Sequence, residues 1–308
     1  MFPAKGKTVS HRLRGGLAKI ATYCRYVELV DLAGLRSRVG ASIFARVAGP
    51  EGPAARDRIH FAPGPRWFAE DRPIRQVHGD ASMFIGGLRA LLLQSLHPLA
   101  MAGVAGHSGY RGDPWGRLQR TSTFLATTTF GTAADAQDAV DRVRSIHERV
   151  RGTTADGTPY AAADPHLLCW VHVAEIDSFL AAHRRFGRRP LTPEQGDGYV
   201  ADTARIARAL GVADPPENVA DLALRLAAYR PELHATPEAR DAARFLLLTP
   251  PLPLAVRLPY GALAANAVSL LPWWARRQLR LPGLPLAEST AVRLSGHAMV
   301  RGIRWAMS

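Results

Sequence analysis

Apolar residues along this chain recur mostly at three- and four-residue steps, and the strict alternation typical of β-strands is nearly absent. Such spacing places apolar side chains on one face of an α-helix. The most apolar stretch, from Ser82 to Val104, is apolar on nearly all sides. We therefore expect a buried, central helix there, kinked at Pro98.

End signals mark the next two helices. Asp113 and Pro114 predict the start of a helix that runs to about Thr127 and stops at Gly131. Thr132 predicts the cap of a second helix, which runs through His147 and Arg151 to a stop at Gly152. The two helices are therefore predicted to be adjacent along the chain.

Similar signals predict that most of the remaining chain is helical. The turn at Asp156-Gly157 predicts a small hairpin. Further helices are predicted at Asp164 to Gly187, at Thr192 to Gly211 with a capping box at Thr192 and Gln195, at about Pro216 to Ala228, at Pro237 to Leu248 and near Ser289 to Ala306.

The N-terminal part has a different character. Short amphipathic helices are predicted from Arg12 to Val47, and the glycine- and proline-rich stretch from Ala48 to Trp67 predicts a loop. No period of 20–50 residues repeats and no long linker divides the chain. We predict an all-α fold with a single, mainly helical domain, in which residues 1–64 pack on a helical core of residues 65–308.

Composition narrows the function classes. The 308 residues carry a net charge of +13, but the positive charge is almost entirely arginine scattered along the chain, which argues against a nucleic-acid partner. Cys24 and Cys169 are the only cysteines, so a disulfide framework, a cysteine zinc site and c-type haem attachment are excluded. With no signal peptide evident, a cytoplasmic location is expected. Trp273 and Trp274 beside arginines are also typical of peripheral membrane contact.

Candidate chemistry lies on the two neighbouring helices. Residues four apart on a helix share a face, so Arg117 would stand by Thr121 and His147 by Arg151. Together these side chains suit one metal-bound cofactor with acidic groups. From spacing alone, His147 is either a hydrogen-bonded core histidine or an iron ligand. His97 and His107 flank a small-residue segment, and His172 with Glu175 has the ligand types, but not the order or number, of a di-iron helix.

Several motifs together resemble the domain-of-unknown-function 2236 family, which groups MpaB-type oxygenases with the catalytic domain of the latex-clearing rubber oxygenase. The resemblance covers roughly residues 65 to 300. It is carried by the block from Gly79 to Pro98, by His107-Ser108, by Asp113 to Leu118, by Arg120-Thr121, by Thr127 to Gly131 and by His147 with Arg151.

The resemblance implies a globin-like helical core that holds haem b, with His147 as the proximal iron ligand. It also implies that Arg117, Thr121 and Arg151 surround the cofactor. Latex-clearing relatives have a lysine where this chain has Arg120, which binds iron poorly because it stays protonated. His97 or His107 is then a candidate hydrogen-bond donor to dioxygen, and Arg117, Arg120 and Thr121 are candidate catalytic residues.

The expected function is a haem-dependent oxygenase that acts with dioxygen on an apolar small molecule, such as one with an isoprenoid or alkene portion. Two alternatives remain open from the sequence. One is a haem or lipid carrier without turnover. The other is a helical protein that binds anionic membranes through its basic charge and the Trp273-Trp274 segment. The oligomeric state is not predicted.

Overall fold

The computed structural model describes residues 33–107 and 112–307, and these confirm the all-α prediction. The helices are α1 (33–48), α2 (Gly52–Phe61), α3 (Pro73–His78), α4 (Met83–Gln94), α5 (Pro98–His107), α6 (Pro114–Phe130), α7 (Ala133–Arg149), α8 (Pro165–Phe186), α9 (Pro193–Leu210), α10 (Val219–Ala228), α11 (Pro237–Leu248), α12 (Leu254–Leu270), α13 (Trp273–Leu279), α14 (Pro285–Ala287) and α15 (Arg293–Met307). A 3₁₀ turn spans Arg230–Glu232, and a π-helical turn spans Glu288–Val292. The strands β1 (Arg151–Thr153) and β2 (Pro159–Ala161) form an antiparallel hairpin.

Helices α4 and α8 form the centre of the core. Their backbones approach closely at Gly86, where an added Cβ would lie 2.9 Å from Cδ1 and 3.1 Å from Cα of Phe179. Trp170, Ile85 and Leu92 are fully buried there. The glycine therefore lets two apolar helix faces pack together, and the burial of those faces is the main stabilising term.

The apolar stretch after Ser82 is two helices, not one kinked helix. Helix α4 ends at Gln94, α5 begins at Pro98, and their axes are bent by 107°. Proline has no N–H to continue the α4 hydrogen bonds but suits the first turn of a new helix. Among the described residues no single helix is long and apolar enough to cross a membrane, and only this bent pair meets the length and composition of a broken span.

The predicted loop from Ala48 to Trp67 is wrong in its middle. Helix α2 occupies Gly52–Phe61, with Pro53 in its first turn, where proline is tolerated. The helices predicted before residue 33 lie outside the described residues. The division into residues 1–64 and 65–308 stays a prediction.

Other end signals were read correctly. Thr192 and Gln195 form a capping box, and Gly211 ends α9 in the left-handed conformation with φ of 110°. Helix α11 has the predicted bounds, and the Asp156-Gly157 turn joins β1 to β2. Near the C-terminus Arg304 binds Asp80 (Nη2 to Oδ1, 2.9 Å), which fixes α15 beside the start of α4.

Candidate functional site

Helices α6 and α7 form a hairpin whose ends are set by their caps. Asp113 accepts a hydrogen bond from the Gly116 backbone N–H, and Thr132 accepts one from that of Asp135. Only Gly131 and Thr132 separate the helices, which pack on each other. Arg117 in the first turn of α6 and His147 in the last turn of α7 therefore lie toward the same, open end of the hairpin.

The surroundings of His147 are compatible with binding a metal ion. Its side chain is half-buried, and burial lowers its pKa, so the ring is neutral at pH 7. Its Nδ1 is enclosed and has no hydrogen-bond partner. A neutral imidazole offers one lone pair, and iron in a helical pocket is commonly held by such a ring.

The three predicted α6 residues have different surroundings. Arg117 is half-buried, and burial, followed by the positive charge of Arg120, lowers its pKa. Arg120 is exposed and pairs with Asp113 (Nη1 to Oδ2, 3.2 Å), and Thr121 is also exposed. Of the three, Arg117 is the residue withdrawn from solvent, in an electropositive setting that favours an anionic ligand group.

Arg151 does not share a helix with His147, so the predicted stacking of these two residues is wrong. Helix α7 ends at Arg149, the backbone of Val150 is extended, and Arg151 pairs with Ala161 in the hairpin. The exposed Arg151 side chain donates from Nη2 to the Glu148 carbonyl oxygen (2.7 Å). The turn at Asp156-Gly157 favours strand pairing over one more helical turn. A cofactor contact of Arg151 stays a prediction.

His97 and His107 each have a protein partner. The buried His97 places Nε2 3.3 Å from Oε2 of Glu232, and burial lowers its pKa although Glu232 opposes this. His107, exposed at the end of α5, lies with Nδ1 3.5 Å from the Tyr160 hydroxyl. Their predicted contact with dioxygen stays a prediction.

His172 and Glu175, one turn apart on α8, are two ionisable residues whose desolvated surroundings the sequence did not indicate. Burial lowers the pKa of His172 to about 4 and raises that of Glu175 to about 7. Both side chains nevertheless keep accessible surface, and Nε2 of His172 is enclosed without a partner. Both side chains are therefore largely desolvated although neither is fully enclosed. The signal in the sequence was a polar i, i+3 pair on an apolar helix.

A buried hydrogen-bond network lies beside this pair. His78 contacts Thr129 through Nδ1 (2.8 Å to Oγ1) and Tyr199 through Nε2 (3.3 Å to the hydroxyl). Burial lowers the pKa of His78 to about 3. The pKa of Tyr199 is raised well above its usual value, first by burial and then by the charge of Glu175. The network joins α3, α6 and α9. The charge of the Glu175 carboxyl group affects the pKa of its tyrosine.

The donor set suits a metal-bound cofactor with acidic side groups. His147 supplies a neutral, half-buried imidazole, and Arg117 supplies a desolvated guanidinium. Phe124 and Leu125 of α6 and Val171 of α8 supply partly buried apolar surface. Neutral imidazole binds iron, and arginine binds carboxylates bidentately.

Comparison of the chain with known protein families identifies a matching family. Residues 75–305 match the family described as "ER-bound oxygenase mpaB/B'/Rubber oxygenase, catalytic domain". No curated protein and no solved structure matches the chain. The matched region extends from α3 to α15 and contains each candidate residue described above.

Proposed function

Because the chain belongs to the family of mpaB/B' and rubber oxygenase catalytic domains, we propose that it is a haem b-dependent oxygenase acting on an apolar small molecule. The observation that carries the proposal is His147, a neutral imidazole whose Nδ1 is enclosed without a partner. Bound haem would supply the dioxygen and one-electron chemistry. The remaining steps depend on side chains of this chain.

Residues of the α6–α7 hairpin would hold the cofactor. His147 would bind the iron, and Arg117 would bind a propionate, because its guanidinium lies in a desolvated and electropositive setting. On the resemblance of their motifs to that family, we propose that Thr121 of α6 and Arg151 of β1 also contact the cofactor. We propose that Arg120 stays with Asp113 and acts at the pocket entrance, since it remains charged and exposed.

Glu175 would act as the general acid or base of the reaction. Its pKa of about 7 means that its carboxyl group is protonated and ionised in comparable amounts near neutral pH. The ionised carboxylate could accept a proton from the substrate, and the protonated form could donate one to the product. Partly buried apolar side chains of α6 and α8, including Phe124, Leu125 and Val171, would hold an isoprenoid or alkene substrate and exclude water.

Absorption spectroscopy tests the cofactor. The full chain, expressed with haem precursor, should show a Soret band that shifts on reduction and on carbon monoxide addition. His147→Ala should lose this band, whereas His107→Ala, which removes an exposed histidine, should retain it. Stoichiometric haem in the His147→Ala protein would show that the ligand assignment is wrong.

Oxygen uptake separates an oxygenase from a carrier. The reduced, haem-loaded protein should consume dioxygen when an alkene or isoprenoid substrate is added. A protein that binds haem and carbon monoxide but consumes no dioxygen across such a panel would be a carrier.

One segment of the chain supports a second candidate function, attachment to an anionic membrane. From residue 242 to residue 308 the sequence has eight arginines and Glu288 as its one acidic residue. The same segment has apolar side chains that are more than 60% exposed: Leu248, Leu254, Leu258, Trp273, Leu284, Leu286 and Leu294. Exposed leucine and tryptophan beside arginine suit a lipid headgroup region.

Co-sedimentation with vesicles tests this attachment. Binding should require anionic lipid and should weaken as salt rises. Replacing Leu254 and Leu258 by serine should weaken it further. Equal binding to neutral vesicles, or none, would rule out this candidate.

A further inference from the structure

We propose that His97, His166 and Glu232 form a site for a divalent transition-metal ion of the Zn²⁺ class, separate from the haem proposed at His147. Their ligand atoms all lie within 4.8 Å of one another. The three residues come from distant parts of the sequence, so only the fold brings them together. The proposal does not depend on the presence of haem.

The distances are close to those of a coordinated ion. Oε2 of Glu232 lies 2.8 Å from Nε2 of His166 and 3.3 Å from Nε2 of His97. Two ligands about 2.1 Å from a tetrahedral zinc ion are roughly 3.4 Å apart. The His97–Glu232 distance already fits, and the exposed His166 side chain can adjust to complete the set.

His97 provides the fixed ligand. It occupies the break between α4 and α5 and keeps only 3% of its surface exposed. Its Nδ1 is enclosed without a hydrogen-bond partner, so the ring binds through Nε2, which is the atom that faces Glu232. The ring also packs near Trp170, at a centroid distance of 6.3 Å. A ring held this way is pre-organised for a ligand.

His166 and Glu232, the other two ligands, lie on segments that are positioned by contacts independent of the Glu232 side chain. The His166 N–H donates to Oδ1 of Asp164 (2.8 Å), and the Tyr229 hydroxyl donates to the His166 carbonyl oxygen (2.8 Å). Glu232 ends the 3₁₀ turn, and two residues later the His234 N–H donates to the Leu96 carbonyl oxygen (2.9 Å). The backbone therefore brings all three segments together before any ion binds.

The donor chemistry selects the ion. Two imidazoles and one carboxylate suit zinc and neighbouring transition metals better than calcium or magnesium, which prefer oxygen ligands. Three protein ligands leave a coordination position for water on the solvent side, where His166 and Glu232 are exposed. A bound ion would join α8, the 3₁₀ turn and the α4–α5 break, and so stabilise this corner of the fold.

Zinc binding to the untagged full chain tests the proposal. Protein stripped with a chelator and gel-filtered is titrated with Zn²⁺ alone, and zinc and iron are measured by mass spectrometry. We expect one zinc ion per chain and a rise in melting temperature with zinc. His166→Gln and Glu232→Gln, both at exposed positions, should each weaken zinc binding by at least about tenfold and lose the zinc-dependent rise.

Two controls isolate the cluster. Glu217→Gln removes an exposed carboxylate that pairs with Arg208 outside the cluster, and it should bind zinc as the wild type does. His147→Ala should also keep zinc binding, which separates this site from the proposed haem site.

Three outcomes would overturn the proposal. The first is wild-type zinc binding in both cluster variants, and the second is no zinc binding in the wild type. The third is an equal fall in melting temperature with and without zinc in both variants, since Glu232 then only accepts hydrogen bonds from the two imidazoles.

Discussion

Arg120 pairs with Asp113, the residue that caps the helix carrying it, with Nη1 3.2 Å from Oδ2. Both side chains are more than half exposed. Arg117, one turn earlier on the same helix, is instead half-buried. Two arginines in one motif thus have different environments, which separates an outward-facing ion pair from a side chain that is largely withdrawn from solvent.

This difference predicts unequal effects on haem retention. Arg117→Ala should lower haem affinity, by roughly tenfold if one charge-assisted bond to a propionate is lost. Arg120→Ala is the matched control and should retain haem, because exposed ion pairs contribute little. The rate of haem transfer to apomyoglobin measures how fast each variant loses haem. Equal loss from the two variants would contradict the assignment of Arg117.

Glu175 predicts a pH-dependent stability. Its folded pKa of about 7 lies above the ordinary value of 4.5, so the folded state holds a proton that the unfolded state releases. Stability is therefore lost as pH rises from 4.5 through 7. Glu175→Gln should remove that loss and stabilise the protein at pH 8, relative to pH 5, by on the order of 3 kcal/mol.

Urea unfolding of both proteins at matched haem content measures the Glu175 effect. The difference between the two proteins, plotted against pH, cancels the other titrating groups. A difference that does not change between pH 5 and pH 8 would contradict the raised pKa.

His78 predicts the opposite pH trend. Its folded pKa of about 3 lies below 6.5, so only the unfolded ring gains a proton as pH falls. Stability should decline by up to about 1.4 kcal/mol for each pH unit below 6.5. His78→Gln should flatten this decline between pH 6.5 and 4, and should cost roughly 1–3 kcal/mol at pH 8 through lost hydrogen bonds. His107→Gln is the exposed control, and an unchanged slope in His78→Gln would contradict the prediction.

Gly86 and Gly87 predict contrasting effects of alanine. A Cβ at Gly86 would meet Phe179 at 2.9 Å, whereas at Gly87 its nearest neighbour would be Cε1 of the same ring at 4.0 Å. Gly86→Ala should destabilise the fold by roughly 1–3 kcal/mol through overpacking. Gly87→Ala should be neutral or stabilise by up to about 1 kcal/mol through helix propensity. Chemical denaturation measures the free energy of unfolding of both variants. Equal changes in the two would show that α4 and α8 adjust to the added methyl group.

Local sequence signals predicted much of the fold. Caps such as Asp113, Thr132 and Thr192 determine helix ends through hydrogen bonds a few residues away, so the sequence alone locates them. Helix α2 was missed because Gly52 and Pro53 read as loop signals, although both positions fall in a first turn. The break near His97 depends on how α5 packs, which proline alone does not reveal.

Less of the candidate site than of the fold could be predicted from the sequence. Arg117 and His147 were found because both lie in recognisable motifs. Glu175 and Glu232 were not assigned roles there, because their importance depends on burial and on partners far along the chain. Arg151 was misplaced because helical spacing was extended past a helix end that strand pairing determines.

Helix α8 carries three of the groups discussed here on one continuous, 22-residue helix: His166 in its first turn, and His172 and Glu175 further along. A helix of this length is a stiff rod of about 33 Å. Axial movement at one end therefore displaces the other end by a similar amount. The corner at His166 and the Glu175 carboxyl group therefore belong to one continuous element, and any axial shift of α8 would move both.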